Sequence, residues 1–145
     1  MIERYDNIIV NITARITVPF IQLLGLYVIF HGHYSPGGGF QGGVLLASGM
    51  ILHRLSMGYK DSYAKLSPHS ASVLGMGGML LFILTALAPV VFGGLFLDYS
   101  YLPIPGLDTA DLRHYGILIA EIWIGIAVFG CLLVIFDHLT EKSWL

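Results

Sequence analysis

Two side chains in this sequence have the chemistry needed to carry a proton through an apolar medium. Glu121 lies inside a long apolar run, and His33 lies at the end of another. An ionised carboxylate at the centre of a membrane helix costs about 2.5–3.5 kcal/mol on insertion scales, so Glu121 must be protonated, paired or hydrated. An imidazole titrates near neutral pH, which suits a proton relay. Each residue also has a structural interpretation, Glu121 as a carboxyl hydrogen-bonded between helices and His33 as a capping or interfacial side chain.

Other kinds of chemistry lack the residues that they need. His31 and His33 are two positions apart, but a metal would need further ligands and no cysteine lies near them. The lone Cys131 lies in an apolar run and can form no disulfide within the chain. The sequence contains no nucleophile–base constellation and no nucleotide, haem or iron–sulfur motif, so we expect no catalytic residues, no metal and no cofactor. A net charge of −2 provides no basic surface for nucleic acid.

Polar residues interrupt the first apolar run on one side only. Asn11, Arg15 and Gln22 are four and seven positions apart, which places them on one face of a helix. A polar face turned to lipid would be costly, so we expect this face to meet protein. Arg15 lies close enough to the helix start to extend its charge to the membrane surface, and a buried ion pair is the alternative.

Composition defines the class of protein. The chain is 56% hydrophobic and 11% charged, which is typical of a membrane protein and not of a soluble domain. We expect an all-α integral membrane protein, one domain over residues 1–145 with four transmembrane helices. The predicted spans are residues 8–30, 40–55, 71–96 and 115–136. The first is interpreted as a retained helix, because acidic residues precede it and no small-residue cleavage site follows.

Basic residues predict the orientation. Four spans place both termini and a polar loop at residues 53–68 on one side of the membrane. The basic residues on that side are Arg4, Arg15, Arg54, Lys60, Lys65 and Lys142, against Arg113 alone on the other. By the positive-inside rule we expect both termini to be cytoplasmic. On the outer side, Asp108 and Asp111 predict that a helix begins near Thr109, because acids stabilise a helix N-terminus.

A glycine-rich run at residues 33–43 joins the first two spans. Pro36 disfavours helical geometry in the residue before it, and the glycines that follow allow a tight turn. A phosphate-binding loop is excluded, since the P-loop pattern is absent and no lysine or arginine lies within ten residues. From Gly39 a ridge of small residues continues through Gly43 and Ala47, which is typical of closely packed membrane helices.

Spelled out, this run resembles the signature of the MnhB (MrpB) family, small membrane proteins of the multisubunit Na+/H+ antiporters of the Mrp or Mnh type. The family pattern is Gly-His-x-x-Pro-Gly-Gly-Gly-Phe-x-Gly-Gly, matched here by Gly32, His33, Pro36, Gly37, Gly38, Gly39, Phe40, Gly42 and Gly43. Family members also carry an acid followed by isoleucine in the fourth helix. Glu121-Ile122 falls where their Asp-Ile-Gly-Val stands, although Trp123 replaces the glycine.

The resemblance implies a small, non-catalytic accessory subunit of a cation/proton antiporter in the cell membrane. Its expected partners are larger, complex-I-like subunits of a hetero-oligomeric complex and the lipid bilayer, with Na+ and H+ as the ions that the complex moves. It would pack against those subunits and line an ion path, with Glu121 and His33 as the candidates.

Two alternatives remain. The chain could be the equivalent subunit of a redox-driven, membrane-bound hydrogenase-type complex, or a stand-alone structural membrane protein. The face of Asn11, Arg15 and Gln22 argues against a stand-alone protein, because that face needs a protein partner.

Overall fold

The computed structural model describes residues 7–32 and 38–141, and every regular element within these ranges is helical. The helices are α1 (Ile8–His31), α2 (Gly38–Lys65), α3 (Pro68–Val91) and α4 (Thr109–Glu141), with a short 3₁₀ helix at Tyr99–Tyr101 between the last two. In this part of the chain α1, α3 and α4 are long and apolar enough to cross a membrane. Residues 33–37 of the predicted glycine-rich turn lie outside the described ranges.

Local signals set where the helices begin. Asn7 caps α1 by accepting a hydrogen bond of 2.9 Å from a backbone N–H of the first turn. Ser67 caps α3 in the same way at 3.1 Å, and Pro68 follows at the first helical position, where its missing N–H costs nothing. The fourth helix begins at Thr109, which confirms the start predicted from the neighbouring aspartates.

Two helix ends differ from the prediction. The polar loop predicted at residues 53–68 is wrong, because α2 continues to Lys65. The helical path is broken at Gly58, whose φ of 79° and ψ of 168° are accessible only to glycine, so the last part of α2 turns away from the axis of the first. Helix α3 ends at Val91, before the end of the predicted third span at residue 96. Gly93 then takes a φ of 85° as the chain leaves the helix.

The helices pack in the order α1–α2–α4–α3. Helix α1 lies on α2, α3 lies on α4, and α2 and α4 join the two pairs. Glycines allow these close crossings: a Cβ on Gly42 would lie 2.7 Å from the carbonyl oxygen of Gly25 in α1. A Cβ on Gly43 would lie 2.6 Å from the carbonyl oxygen of Gly125 in α4. The predicted ridge of small residues therefore packs inside the chain.

The central position of α2 explains its composition. It is the least apolar of the long helices, and it has protein on both flanks, so it needs less apolar surface than a helix surrounded by lipid. The outer helices instead expose large apolar side chains, among them Ile16, Phe20, Leu24, Met76, Leu80 and Leu84. An all-helical protein with this outer surface is a multi-pass membrane protein.

Candidate functional site

The carboxyl group of Glu121 lies against the glycine-rich run. A Cβ built on Gly32 would lie 2.8 Å from Oε2 of Glu121, and one on Gly38 would lie 2.8 Å from Oε1. Oε2 is buried. Glu121 is about 18 Å along α4 from its start, well inside the helix. The structure therefore brings together the two features that the resemblance singles out, the acid of the fourth helix and the glycines that flank residues 33–37.

The two glycines that open α2 are needed for different reasons. Gly38 has a φ of 65°, which side-chain-bearing residues rarely adopt. Gly39 is helical, and a Cβ there would overlap the backbone oxygen of Glu121. A side chain at position 39 would therefore destabilise the packing of α2 on α4 because it would clash with Glu121, and not because of backbone strain. Together the two glycines allow the first turn of α2 to pack in contact with the backbone and the carboxyl group of Glu121 in α4.

Glu121 also lines a cavity of about 440 Å³ between α3, α4 and the chain around the 3₁₀ helix. Its walls are mostly apolar, including Phe82, Ile117 and Ile124. Tyr99 closes part of it, and its ring packs so closely on Gly116 that a Cβ there would overlap the ring. The cavity extends from Glu121 to the loop that precedes α4.

Charged residues line the loop end of this cavity. Arg113 Nη2 lies 3.7 Å from Oδ1 of Asp98, and both side chains line the cavity. The Ser100 hydroxyl donates to Asp98 Oδ1 at 2.5 Å and holds the pKa of that carboxyl below its usual range, with a smaller contribution from Arg113. Asp98 therefore stays ionised at neutral pH and offers a negative charge at the loop end of the cavity that leads to Glu121.

The predicted polar face of α1 divides between two environments. Asn11 is buried, and the Gln22 amide donates to the carbonyl oxygen of Leu46 in α2 at 3.0 Å. Arg15 is exposed and lines a second cavity, which lies between α1 and α2. Two of the three residues thus meet protein within the chain itself.

Several predicted site residues cannot be placed next to Glu121. His33, Pro36 and Gly37 lie outside the described residues. Phe40 is 61% exposed on α2, so the described residues cover less than half of it. Within the described ranges, no three histidine, cysteine or acidic side chains group as metal ligands.

One buried ion pair was not predicted from the sequence. Arg54, expected in a polar loop, is fully buried in α2 and pairs with Asp137 of α4. Its second guanidinium nitrogen donates to the carbonyl oxygen of Leu66 at 3.2 Å, and the guanidinium lies 5.3 Å from the centre of the Tyr63 ring. Arg54 thus ties together α4 and the folded-back end of α2.

Neighbouring groups extend this cluster. The hydroxyl groups of Tyr59 and Thr140 are hydrogen-bonded, which adds a second polar link between α2 and α4. Burial, and next to it the charge of Asp137, raises the pKa of Tyr63 above its usual range, so its hydroxyl stays protonated. In the sequence, the only signal for this cluster is an acid and an arginine at the ends of two predicted spans, and a single sequence does not pair them.

Comparison with known proteins identifies the family of this chain. Residues 9–134 match the family described as a domain related to the MnhB subunit of Na+/H+ antiporter. A Na+/H+ antiporter subunit of Bacillus subtilis is 34% identical over 136 residues, 88% of this chain and 94% of that protein. A protein of Staphylococcus haemolyticus, named provisionally as antiporter subunit mnhB2, is 33% identical over 130 residues, 85% of this chain and 92% of that protein.

The long apolar helices define a helical, multi-pass membrane protein. More narrowly, the chain belongs to the MnhB family of Na+/H+ antiporter subunits, as the resemblance of the glycine-rich run implied. Since its relatives are named as antiporter subunits, it is a component of a transporter and not an enzyme.

Proposed function

We propose that this chain is an accessory subunit of a multisubunit Na+/H+ antiporter in the cell membrane, and that it contributes Glu121 to the wall of an ion path. The observation that carries the proposal is the position of Glu121. Its carboxyl group lies between the glycine-rich run on one side and a cavity that leads to Asp98 and Arg113 on the other. A carboxyl group with this access can exchange a proton or contact a cation without leaving the helix interface.

His33 remains the second candidate for the same path. It directly follows Gly32, whose position lies against the Glu121 carboxyl. An imidazole accepts and releases protons near neutral pH, which suits a proton relay that includes a membrane carboxyl.

The proposed topology has four spans and both termini in the cytoplasm. Although α2 is less apolar than the other long helices, its position between α1 and α4 supports a crossing, because both neighbours are long enough to span. The burial of Arg54 removes it from the loop charges that supported the orientation. The other basic residues of that side still outnumber Arg113, so the positive-inside rule gives the same orientation.

The test of the ion-path role is antiport by the whole complex carrying Glu121→Gln. The amide keeps the size of the side chain but cannot take up and release a proton. We expect Na+/H+ exchange in membrane vesicles to fall at least about tenfold, as for the loss of a proton-transfer group, with normal amounts of assembled complex. Asp111→Asn, which removes an exposed acid in the first turn of α4, is the control and should leave exchange unchanged. Full exchange by the Glu121→Gln complex would leave Glu121 as a packing residue only.

The proposed partners are tested by gentle detergent purification of the tagged chain from its native membrane. Large antiporter-like subunits in the purified material would support the antiporter. If metal-cluster subunits co-purified with them, the chain would belong to a redox-driven complex. Recovery of the folded chain alone would contradict the accessory role, since the apolar outer faces of α1 and α3 would then face only lipid.

A further inference from the structure

The second cavity lies far from Glu121 and serves no part of the proposed ion path. It has a volume of about 550 Å³ and lies between α1 and the end of α2. The side chains that give it its chemistry are the basic Arg15, His53 and Lys65, the acidic Asp61, and the apolar Val18 and Met57. We refer to this cavity as the α1–α2 cleft. A pocket that combines basic and apolar side chains fits an amphiphilic anion.

The break at Gly58 brings two of these basic side chains together. In a straight helix, His53 and Lys65 would be separated by about 18 Å along the axis. Because α2 folds back at Gly58, the Lys65 ammonium instead lies 2.9 Å from Nε2 of His53. An ammonium group has only donors, so the imidazole Nε2 accepts in this hydrogen bond. The fold-back thus places Lys65 over a part of α2 three turns earlier in the chain.

Arg15 supplies the second cation from α1. Arg15 and Lys65 are both exposed in the cleft, and among the described residues neither forms an ion pair with a carboxylate. Among the described residues, Asp61 is the one acid that lines the cleft, so positive charge from these residues is in excess there. Two cations without a paired carboxylate on facing helices suit a phosphate group, to which arginine and lysine donate charge-assisted hydrogen bonds.

The depth of the cleft identifies the source of that phosphate. Arg15 lies about 10 Å along α1 from its start, so the cleft lies near the membrane surface that carries the N-terminus in the proposed topology. Val18 and Met57 continue the cleft along the two helices. Basic pockets between membrane helices at this depth bind anionic lipid head groups.

We propose that the α1–α2 cleft binds one anionic phospholipid, with Arg15 and Lys65 donating to its phosphate and the apolar wall contacting an acyl chain. This role is separate from ion transport, because it involves neither Glu121 nor its cavity. The bound lipid would join α1 to the folded-back end of α2, because Arg15 and Lys65 lie on these two segments.

The test titrates detergent-washed, purified complex with phosphatidylglycerol or phosphatidylcholine in mixed micelles and follows the thermal unfolding midpoint. We expect phosphatidylglycerol alone to raise the midpoint. Arg15→Gln and Lys65→Gln should each weaken the apparent Kd for phosphatidylglycerol by about tenfold or more, the loss expected for one charge-assisted hydrogen bond. Lys60→Gln is the matched control, because Lys60 is an exposed lysine of the same helix that does not line the cleft.

A parallel titration with inorganic phosphate distinguishes the two sources of the anion. If inorganic phosphate gives the same midpoint shift and the same dependence on Arg15 and Lys65, the cleft binds free phosphate and the lipid assignment is wrong. Equal responses to the two lipids, or an equal loss of binding in Lys60→Gln, would overturn the proposal. The unliganded midpoints of the variants, which should match the unsubstituted complex, exclude misfolding as the cause of weaker binding.

Discussion

At the scale of single residues, two arginines of this chain have opposite environments. Arg54 and Asp137 pair with neither side chain accessible to solvent, whereas Arg113 and Asp98 pair at 3.7 Å with Arg113 60% exposed. Burying a pair costs desolvation energy, so breaking it leaves an uncompensated charge, while an exposed pair contributes little. The two arginines therefore provide an internal comparison.

Replacing Arg54 with methionine should strongly destabilise the protein. Asp137 would remain buried without its counter-ion, which typically costs about 3–5 kcal/mol. We expect a lower thermal unfolding midpoint and less assembled complex. Arg113→Met should change stability by less than about 1 kcal/mol.

The double substitution Arg54→Met with Asp137→Leu separates the charge effect from a general loss of packing. It should recover most of the stability lost in the single variant, because no charge is then left buried. A double variant as unstable as Arg54→Met alone would show that the guanidinium acts through its contacts to Leu66 and Tyr63 instead.

At the scale of helices, close crossings depend on where each glycine points. Gly78 of α3 faces α4, and a Cβ there would lie 2.6 Å from the backbone nitrogen of Ala127. Gly77, one position earlier, has no atom within 4 Å of its Cβ position. The two glycines are equivalent in sequence and differ only in the face of the helix that they occupy.

Gly78→Ala should separate α3 from α4 and reduce the amount of folded protein recovered in detergent, since backbone atoms cannot move aside as a flexible side chain can. Gly77→Ala should be neutral or slightly stabilising, because alanine favours a helix over glycine by up to about 1 kcal/mol. Equal effects of the two substitutions would contradict the close packing of α3 on α4.

Gly58 is a separate case, because glycine is required there by the backbone conformation and not by close packing. With a φ of 79° and a ψ of 168°, Gly58→Ala should cost about 1–3 kcal/mol and straighten the end of α2. The distance between spin labels at Ser48 and Ala64, measured in the purified complex, should then lengthen. An unchanged distance would mean that the fold-back is held by Arg54 and its neighbours alone.

At the scale of the whole molecule, the order α1–α2–α4–α3 makes a slab of helices with two outer faces of large apolar side chains. Among the described residues, the buried polar side chains include Asn11, Arg54 and Asp137. An arrangement of this kind presents apolar surface both to lipid and to neighbouring subunits.

The proposed topology is tested with single cysteines in a Cys131→Ser background, since Cys131 is the sole cysteine and is exposed. In whole cells a membrane-impermeant maleimide should label Asp108→Cys at once, and Lys60→Cys only after permeabilisation. Labelling of both from the same side would contradict the crossing of α3, the long helix that separates the two positions. The reversed pattern would invert the orientation.

The sequence alone was sufficient for the class of protein and the family, and it supplied the candidate Glu121. Apolar runs predicted the long membrane helices, the aspartates near Thr109 predicted the start of α4, and the glycine signature indicated the family. These features are local, because hydropathy, capping and a motif each depend on residues close together in the chain. Glu121 was identified in the same way, from one acid in an apolar run.

The tertiary structure alone decided which distant residues meet. It placed the Glu121 carboxyl against Gly32 and Gly38, paired Arg54 with Asp137, and folded the end of α2 back over His53. Each of these depends on residues far apart in the chain, or on the positive φ of Gly58. A single sequence carries no record of such pairings, because a buried arginine and a loop arginine have the same local neighbours until packing selects between them.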